Sequence, residues 1–207
     1  MARNDSQTPF SAQSNCRPPV RKPNKELRQR EYLTDSEMDS MRNSASKTGR
    51  YGHRDSTLIM VMYRHGLRVS EAIDLRWEQI DFTRSTIHVT RLKNGDPSVH
   101  PLVGEELRAL RKLRRDFPAS SFVFNSERQG PLTARAVHKI VARAGRLAGI
   151  PFSVHPHQLR HATGFALASA GVDTRALQLY LGHRNIQHTV TYTQLSASRF
   201  KDFGKLL

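Results

Sequence analysis

Cysteine is nearly missing from this 207-residue chain, in which Cys16 stands alone. One thiol excludes an internal disulfide framework and a cysteine-based zinc site. Long apolar runs are missing too. A stretch such as Leu58–Tyr63 is far shorter than the ~20 residues that a bilayer crossing needs. The N-terminus carries Arg3 and Asp5 among polar residues and no apolar leader core,. These gaps point to a cytoplasmic protein with no membrane partner. Acidic residues are scarce: 18 Asp and Glu face 33 Lys and Arg, a formal net charge of +15. That charge repels itself, so it points to a polyanionic partner, nucleic acid first and an anionic membrane surface second. A hydrophobic fraction of 37% is low for a compact domain, yet too high for wholesale disorder,.

Residues 1–32 differ from the rest. Pro9, Pro18, Pro19 and Pro23 lie among Ser, Asn and Gln, and seven basic residues against three acidic ones leave a net charge of +4. Such a segment cannot bury enough surface to order itself. It reads equally as a solvated linker and as a basic arm that lies along phosphates. Residues 33–207 read as one domain, with a tail over 193–207.

Within that domain the periodicity is mostly helical. Thr34-Asp35-Ser36-Glu37 is a capping box that opens a first helix reaching about Ser46,. A second helix covers Asp55–His65 and closes at Gly66. A short third helix begins near Ser70. The period then changes to two over Thr86–Leu92, Asn94-Gly95 marks a tight turn, and Ser98–Leu102 returns as the second strand of a hairpin,. Helical spacing resumes over Glu105–Phe117, Thr133–Ala148 and His155–Ala170. Asp173 caps another short helix, which Gly182 ends, and Thr189–Leu195 and Ser198–Leu207 complete the chain,. The fold class is mainly α with a small antiparallel β-hairpin.

Several polar residues stand out as a set. In order they are Gly66-Leu67-Arg68-Val69-Ser70-Glu71, Lys93-Asn94-Gly95, His157-Gln158-Leu159-Arg160-His161, Leu181-Gly182-His183 and Thr189-Val190-Thr191-Tyr192. Each alone is ordinary. Their order and spacing resemble the catalytic domain of the tyrosine recombinases, the phage-integrase family. Arg91-Leu92-Lys93-Asn94-Gly95 and the short length resemble the fimbrial phase-variation members.

The resemblance implies a site-specific DNA recombinase working through a covalent 3′-phosphotyrosyl intermediate, with no cofactor and no metal. It implies that Arg68 and Arg160 grip the phosphate, a task suited to a planar guanidinium fork. His183 would donate to a non-bridging oxygen. His157 would accept the tyrosine proton or serve as a shared acid–base group, Lys93 would protonate the leaving 5′ oxygen, and Tyr192 would attack. Glu71 either supports Arg68 or only stabilises a helix start. His161 reads as packing or orientation. A rival metal site built from His155, His157 and His161 is disfavoured, because Arg160 lies between the last two and no Glu follows His157.

The implied partners are double-stranded DNA, three further copies in a homotetramer on two sites, and accessory DNA-bending proteins. In the tail, Phe200, Phe203 and Leu207 share a helical face that packs either on its own domain or in a neighbouring subunit. Many relatives carry a separate N-terminal DNA-clamping domain, for which the residues before Tyr32 leave no room. Two other functions stay open: a non-catalytic DNA-binding regulator on this fold, and a topoisomerase-like relaxing enzyme with the same nucleophile.

Overall fold

The computed structural model describes residues 32–91 and 97–194. The arm expected over 1–32, except its last residue, lies outside the described residues. So do Lys93 and the tail from residue 195 onward.

Eight α-helices and a three-stranded antiparallel sheet make up the described fold. Helix α1 (Asp35–Ser46) starts as its sequence dictates: the Glu37 amide donates to Thr34 Oγ1, and the Thr34 amide donates to the Glu37 carboxylate at 2.8 Å. Met38, Met41 and Ala45 form its buried stripe. Helix α2 (Gly52–Arg64) is the central element, and Leu58, Ile59, Val61 and Met62 along it are fully buried. A helix apolar on most sides must be wrapped by others, and α1, α4 (Gly104–Asp116) and α6 (Pro156–Ser169) pack on it.

Between these lie the short helix α3 (Val69–Ile73), a 3-10 turn (Trp77–Gln79) and the sheet. Strand β1 (Ile80–Asp81) pairs with β2 (Thr86–Val89), which pairs with β3 (Ser98–Pro101); Ile87 faces Ile80 on one side and His100 on the other. The hairpin expected from the alternating residues is therefore the larger part of a three-stranded sheet. Ile87 and Val89 turn into the core while His88 stays exposed.

Helix α5 (Ala134–Leu147) is capped by Thr133, whose hydroxyl accepts from the Ala136 amide at 3.1 Å. Pro156 opens α6 at a position where a missing N–H costs nothing,. Helix α7 (Thr174–Leu181) is capped by Asp173 and ends at Gly182, whose φ of +63° is a left-handed value that favours glycine,. Helix α8 (Gln187–Gln194) completes the described chain.

The core has two parts. The large one runs from Leu33 to Ala162 around α2. The small one holds Phe165, Ala168, Leu177, Leu181 and Tyr192, with Tyr32 packed on its side.

Candidate active site

Two helix ends build the site. The last carbonyls of an α-helix lack intrahelical partners and carry partial negative charge. The end of α2 offers a row of them. Tyr63 O accepts from the Thr163 hydroxyl, Arg64 O from the Tyr180 hydroxyl, His65 O from Arg91 and Gly66 O from Arg160. The end of α7 adds Tyr180 O, which accepts from Arg91, and Leu181 O, which accepts from Arg160. Arg160, 1% exposed, thus spans two helix termini, with Nη1 2.5 Å from Gly66 O and Nη2 2.6 Å from Leu181 O. These bonds use two of its five N–H groups and leave the rest for a ligand.

Glu71 ties the remaining cations together. Its Oε1 accepts from Arg68 at 2.6 Å, and its Oε2 accepts from Arg91 at 2.8 Å and from the Arg68 amide at 2.9 Å. The last bond caps α3, so the helix-start and the arginine-support readings are both present in one carboxylate. Arg91 is a residue that sequence reasoning passed over. Its guanidinium is inaccessible to solvent, and its aliphatic stem lies where a Cβ on Gly182 would stand, at 2.8 Å. Its position two residues before Lys93 was the available signal.

Three guanidiniums surround a single carboxylate, and the charges show strain. Burial first, then Arg68 and Arg91, pull Arg160 down to about 9 from the ordinary arginine value. Arg91 is also lowered, by burial ahead of the opposing pull of Glu71. A site this rich in unbalanced cations is built to receive an anion. The anion has room: a cleft of about 620 Å³ is lined by Arg68, Arg175, His183, Arg184 and His188 among others, with no carboxylate in its wall.

His183 follows the left-handed turn at Gly182. Its Nδ1 is 2.9 Å from the buried Thr189 hydroxyl, a second residue that sequence reasoning passed over. The side-chain amide of Gln178 donates to the carbonyls of His183 and Arg184 and so fixes the turn. Burial, then Arg160 and Arg68, hold the His183 pKa down at about 3. The ring is therefore neutral at pH 7, and in the tautomer whose Nδ1 accepts from Thr189 its Nε2–H is left as a donor.

Tyr192 on α8 lies 3% exposed in the small core. Its ring packs over Gly164, where a Cβ would meet three ring carbons at 2.6–2.8 Å, and edge-on to Phe165 at 5.1 Å. Its hydroxyl lies 3.0 Å from Nδ1 of His161. The partner expected from the sequence, His157, instead stands edge-on to His161 at 4.4 Å and is exposed. His157 and His161 are one helical turn apart, so both point the same way, and packing decides which meets the tyrosine. Desolvation, then His161, Arg160 and Arg68, take His157 down to about 4, and burial with Arg160 lowers His161 as well. Both imidazoles are neutral and able to accept a proton. Burial raises the Tyr192 pKa and Arg160 opposes it, so the free phenol stays protonated.

The structure thus brings Arg68, Glu71, His157, Arg160, His161, His183 and Tyr192 to one place, while Lys93 lies outside the described residues. Among the described residues, no group of three or more His, Cys, Asp or Glu is placed to hold a metal ion, and no helix is long and apolar enough to cross a membrane.

A buried tyrosine beside neutral histidines, next to an arginine-lined cleft in an α-rich domain, is an arrangement suited to phosphoryl transfer by a tyrosine nucleophile,. Comparison with known proteins agrees. The Phage integrase family matches residues 31–199, and the chain belongs to that family, the tyrosine-type site-specific DNA recombinases. It is 42% identical over 178 residues to the type 1 fimbriae regulatory protein FimB of Escherichia coli K12, covering 84% of this chain and 88% of that one. It is 41% identical over 180 residues to FimE of the same strain, covering 84% and 90%. Among solved structures, the XerA recombinase superposes with a TM-score of 0.72 at 25% identity, over 84% of this chain and 64% of that one. The XerH site-specific recombinase bound to its difH substrate superposes with a TM-score of 0.69 at 22% identity, over 79% and 50%, a likeness of fold.

Proposed function

We propose that the chain cleaves and rejoins double-stranded DNA at specific sites through a 3′-phosphotyrosyl intermediate on Tyr192. The observation that carries this reading is the Tyr192 hydroxyl set on a neutral His161 beside the Arg160 clamp. Tyr192 Oη attacks the scissile phosphorus, and the bond from phosphorus to the 5′ oxygen breaks. The phenolic proton passes to His161, or through a shift of Tyr192 to His157. A ground-state phenolate is not available, since burial keeps the phenol protonated, so deprotonation accompanies attack.

Negative charge grows on the non-bridging oxygens in the transition state. Arg68, the free N–H groups of Arg160 and the Nε2–H of His183 meet it there, pre-oriented by Glu71, by the two helix ends and by Thr189,. By resemblance, Lys93 protonates the leaving 5′ oxygen. The tyrosyl ester keeps the energy of the cleaved bond, and a 5′ hydroxyl from a second strand reverses the attack, so neither ATP nor a metal is required. A homotetramer on two sites, with DNA-bending accessory proteins, fits this chemistry. Inversion, integration and excision are then set by how the sites are arranged.

A pool of nicked suicide duplexes in EDTA tests the proposal. Wild type should retain DNA covalently, and Tyr192→Phe should retain none. A complete lack of adduct, or an adduct that needs a divalent metal, would refute it. Relaxation of supercoils without strand exchange would favour the topoisomerase-like alternative.

A further inference from the structure

The C-terminal half of α4 carries a second concentration of positive charge. The helix holds three carboxylates, and each has a partner: Glu105 pairs with Arg42 and Arg64, Glu106 with His65, and Asp116 with Lys112. Arg111, Arg114 and Arg115 have no carboxylate partner among the described residues. All three are exposed, and together with Phe82 and Pro118 they line a cleft of about 500 Å³.

Two of these arginines are held in place. The guanidinium of Arg111 lies 5.6 Å from the Phe82 ring centre, and that of Arg114 lies 5.7 Å from Phe82 and 5.9 Å from Trp77. Cation–π contacts of this kind are worth about 0.5–1 kcal/mol at exposed sites, and they restrict side chains that would otherwise wander. The helix dipole accounts for basic residues in the last turn, Arg114 and Arg115,. It does not account for Arg111, nor for three like charges gathered around one aromatic floor, which repel each other until an anion sits between them.

The cleft is remote from the catalytic one. Phe82 follows β1 at one end of β2, whereas Arg91 lies beyond the other end. Six residues of extended chain separate Ser85 from Arg91, roughly 20 Å. Along α4, Glu106 sits near the catalytic end through His65, and Arg115 is nine residues further on, about 14 Å.

We propose that Phe82, Arg111, Arg114 and Arg115 form a second DNA-binding surface, which takes the phosphate backbone of duplex DNA outside the cleavage cleft without reading its sequence. Planar guanidiniums, two of them fixed on aromatic rings, suit phosphate oxygens,, and an open cleft at a helix C-terminus presents them to a backbone and inserts no element into a groove where base edges are read. The binding term they supply is sequence-independent and salt-sensitive. Cleavage itself does not depend on it.

Salt titration of the full chain on a long random-sequence duplex tests this. Each phosphate contact contributes about 0.9 to the slope of log affinity against log salt. Changing Arg111, Arg114 and Arg115 together to Gln should lower that slope by about 2–3 while the suicide-substrate adduct still forms at low salt. The triple change to Lys should keep most of the slope. Arg115→Gln, which disturbs no aromatic contact, should lower it by about 1 and guards against loss of fold in the triple variant. An unchanged slope in the Gln variants would overturn the proposal and leave the surface to an acidic protein. The cleavage reading fails on a different measurement, the missing adduct.

Discussion

At the scale of single residues, Glu71 holds the most consequential position. Its carboxylate is the counter-charge to Arg91, which has no access to solvent, and it also aims Arg68. Removing one partner of a buried pair leaves the other charge uncompensated, at a cost of about 3–5 kcal/mol. Glu71→Gln should therefore lower stability by that amount in urea titration and slow cleavage as well. His161 yields a different prediction. His161→Ala takes away the neutral acceptor 3.0 Å from the Tyr192 hydroxyl, the nucleophile proposed above, and general-base loss costs about 10²–10⁴-fold in rate. The expected result is slow adduct formation at unchanged DNA affinity and unchanged melting temperature. If His157→Ala proves the slower of the two, the proton takes the other route. Arg160→Lys should be nearly inactive, because an ammonium cannot bridge two carbonyls and still present a planar fork to phosphate.

At the scale of elements, much was legible because much of the chemistry is local. Thr34 and Glu37, Asp173, Pro156 and Gly182 mark helix ends through bonds made within a few residues. Strand β1 was not legible, since two residues carry no period. Arg91 was not legible as a site residue because its role arises from a carbonyl 89 residues away, and Thr189 was not because its contact with His183 depends on how the turn after Gly182 folds back on α8. The choice between His157 and His161 was closed to sequence for a related reason: spacing puts both on one face of α6, and only the seating of α8 against Gly164 selects one. That seating can be tested. Gly164→Ala would set a methyl group 2.6–2.8 Å from the Tyr192 ring, so α8 must move. The variant should fold with a modest drop in melting temperature and lose most of its cleavage rate, while gel-shift affinity for DNA stays close to wild type.

At the scale of the whole molecule, the net charge of +15 divides between catalysis and grip, and the titratable core sets an acid limit. His100 is buried, with its ring stacked on Tyr180, its Nε2 2.8 Å from Ser98 Oγ and its Nδ1 3.2 Å from His65. Burial, then His65 and Arg91, hold its pKa at about 3. The unfolded chain takes up this proton near pH 6.5, whereas the folded chain resists until near 3. Stability is thus full above about pH 6.5 and falls on acidification, by up to about 1.4 kcal/mol per pH unit from this residue. His183 acts with the same sign. Urea midpoints should drop steadily below about pH 6.5, and His100→Gln should flatten the trend. Midpoints that do not change with pH would contradict it.

The division of the core has one more consequence. Tyr192 belongs to the small cluster with Phe165, Leu177 and Leu181, not to the large one around α2. Regions with less buried apolar surface open at lower free energy than the global unfolding step. Backbone amides of α8 should therefore exchange with deuterium well before those of α2, through an excursion that leaves the main core closed. Such an excursion frees the phenol from its 3%-exposed resting place without unfolding the rest. If Tyr192 is the nucleophile proposed above, α8 acts as a latch, and the opening rate read from its amide exchange should set a ceiling on how fast the first strand is cut.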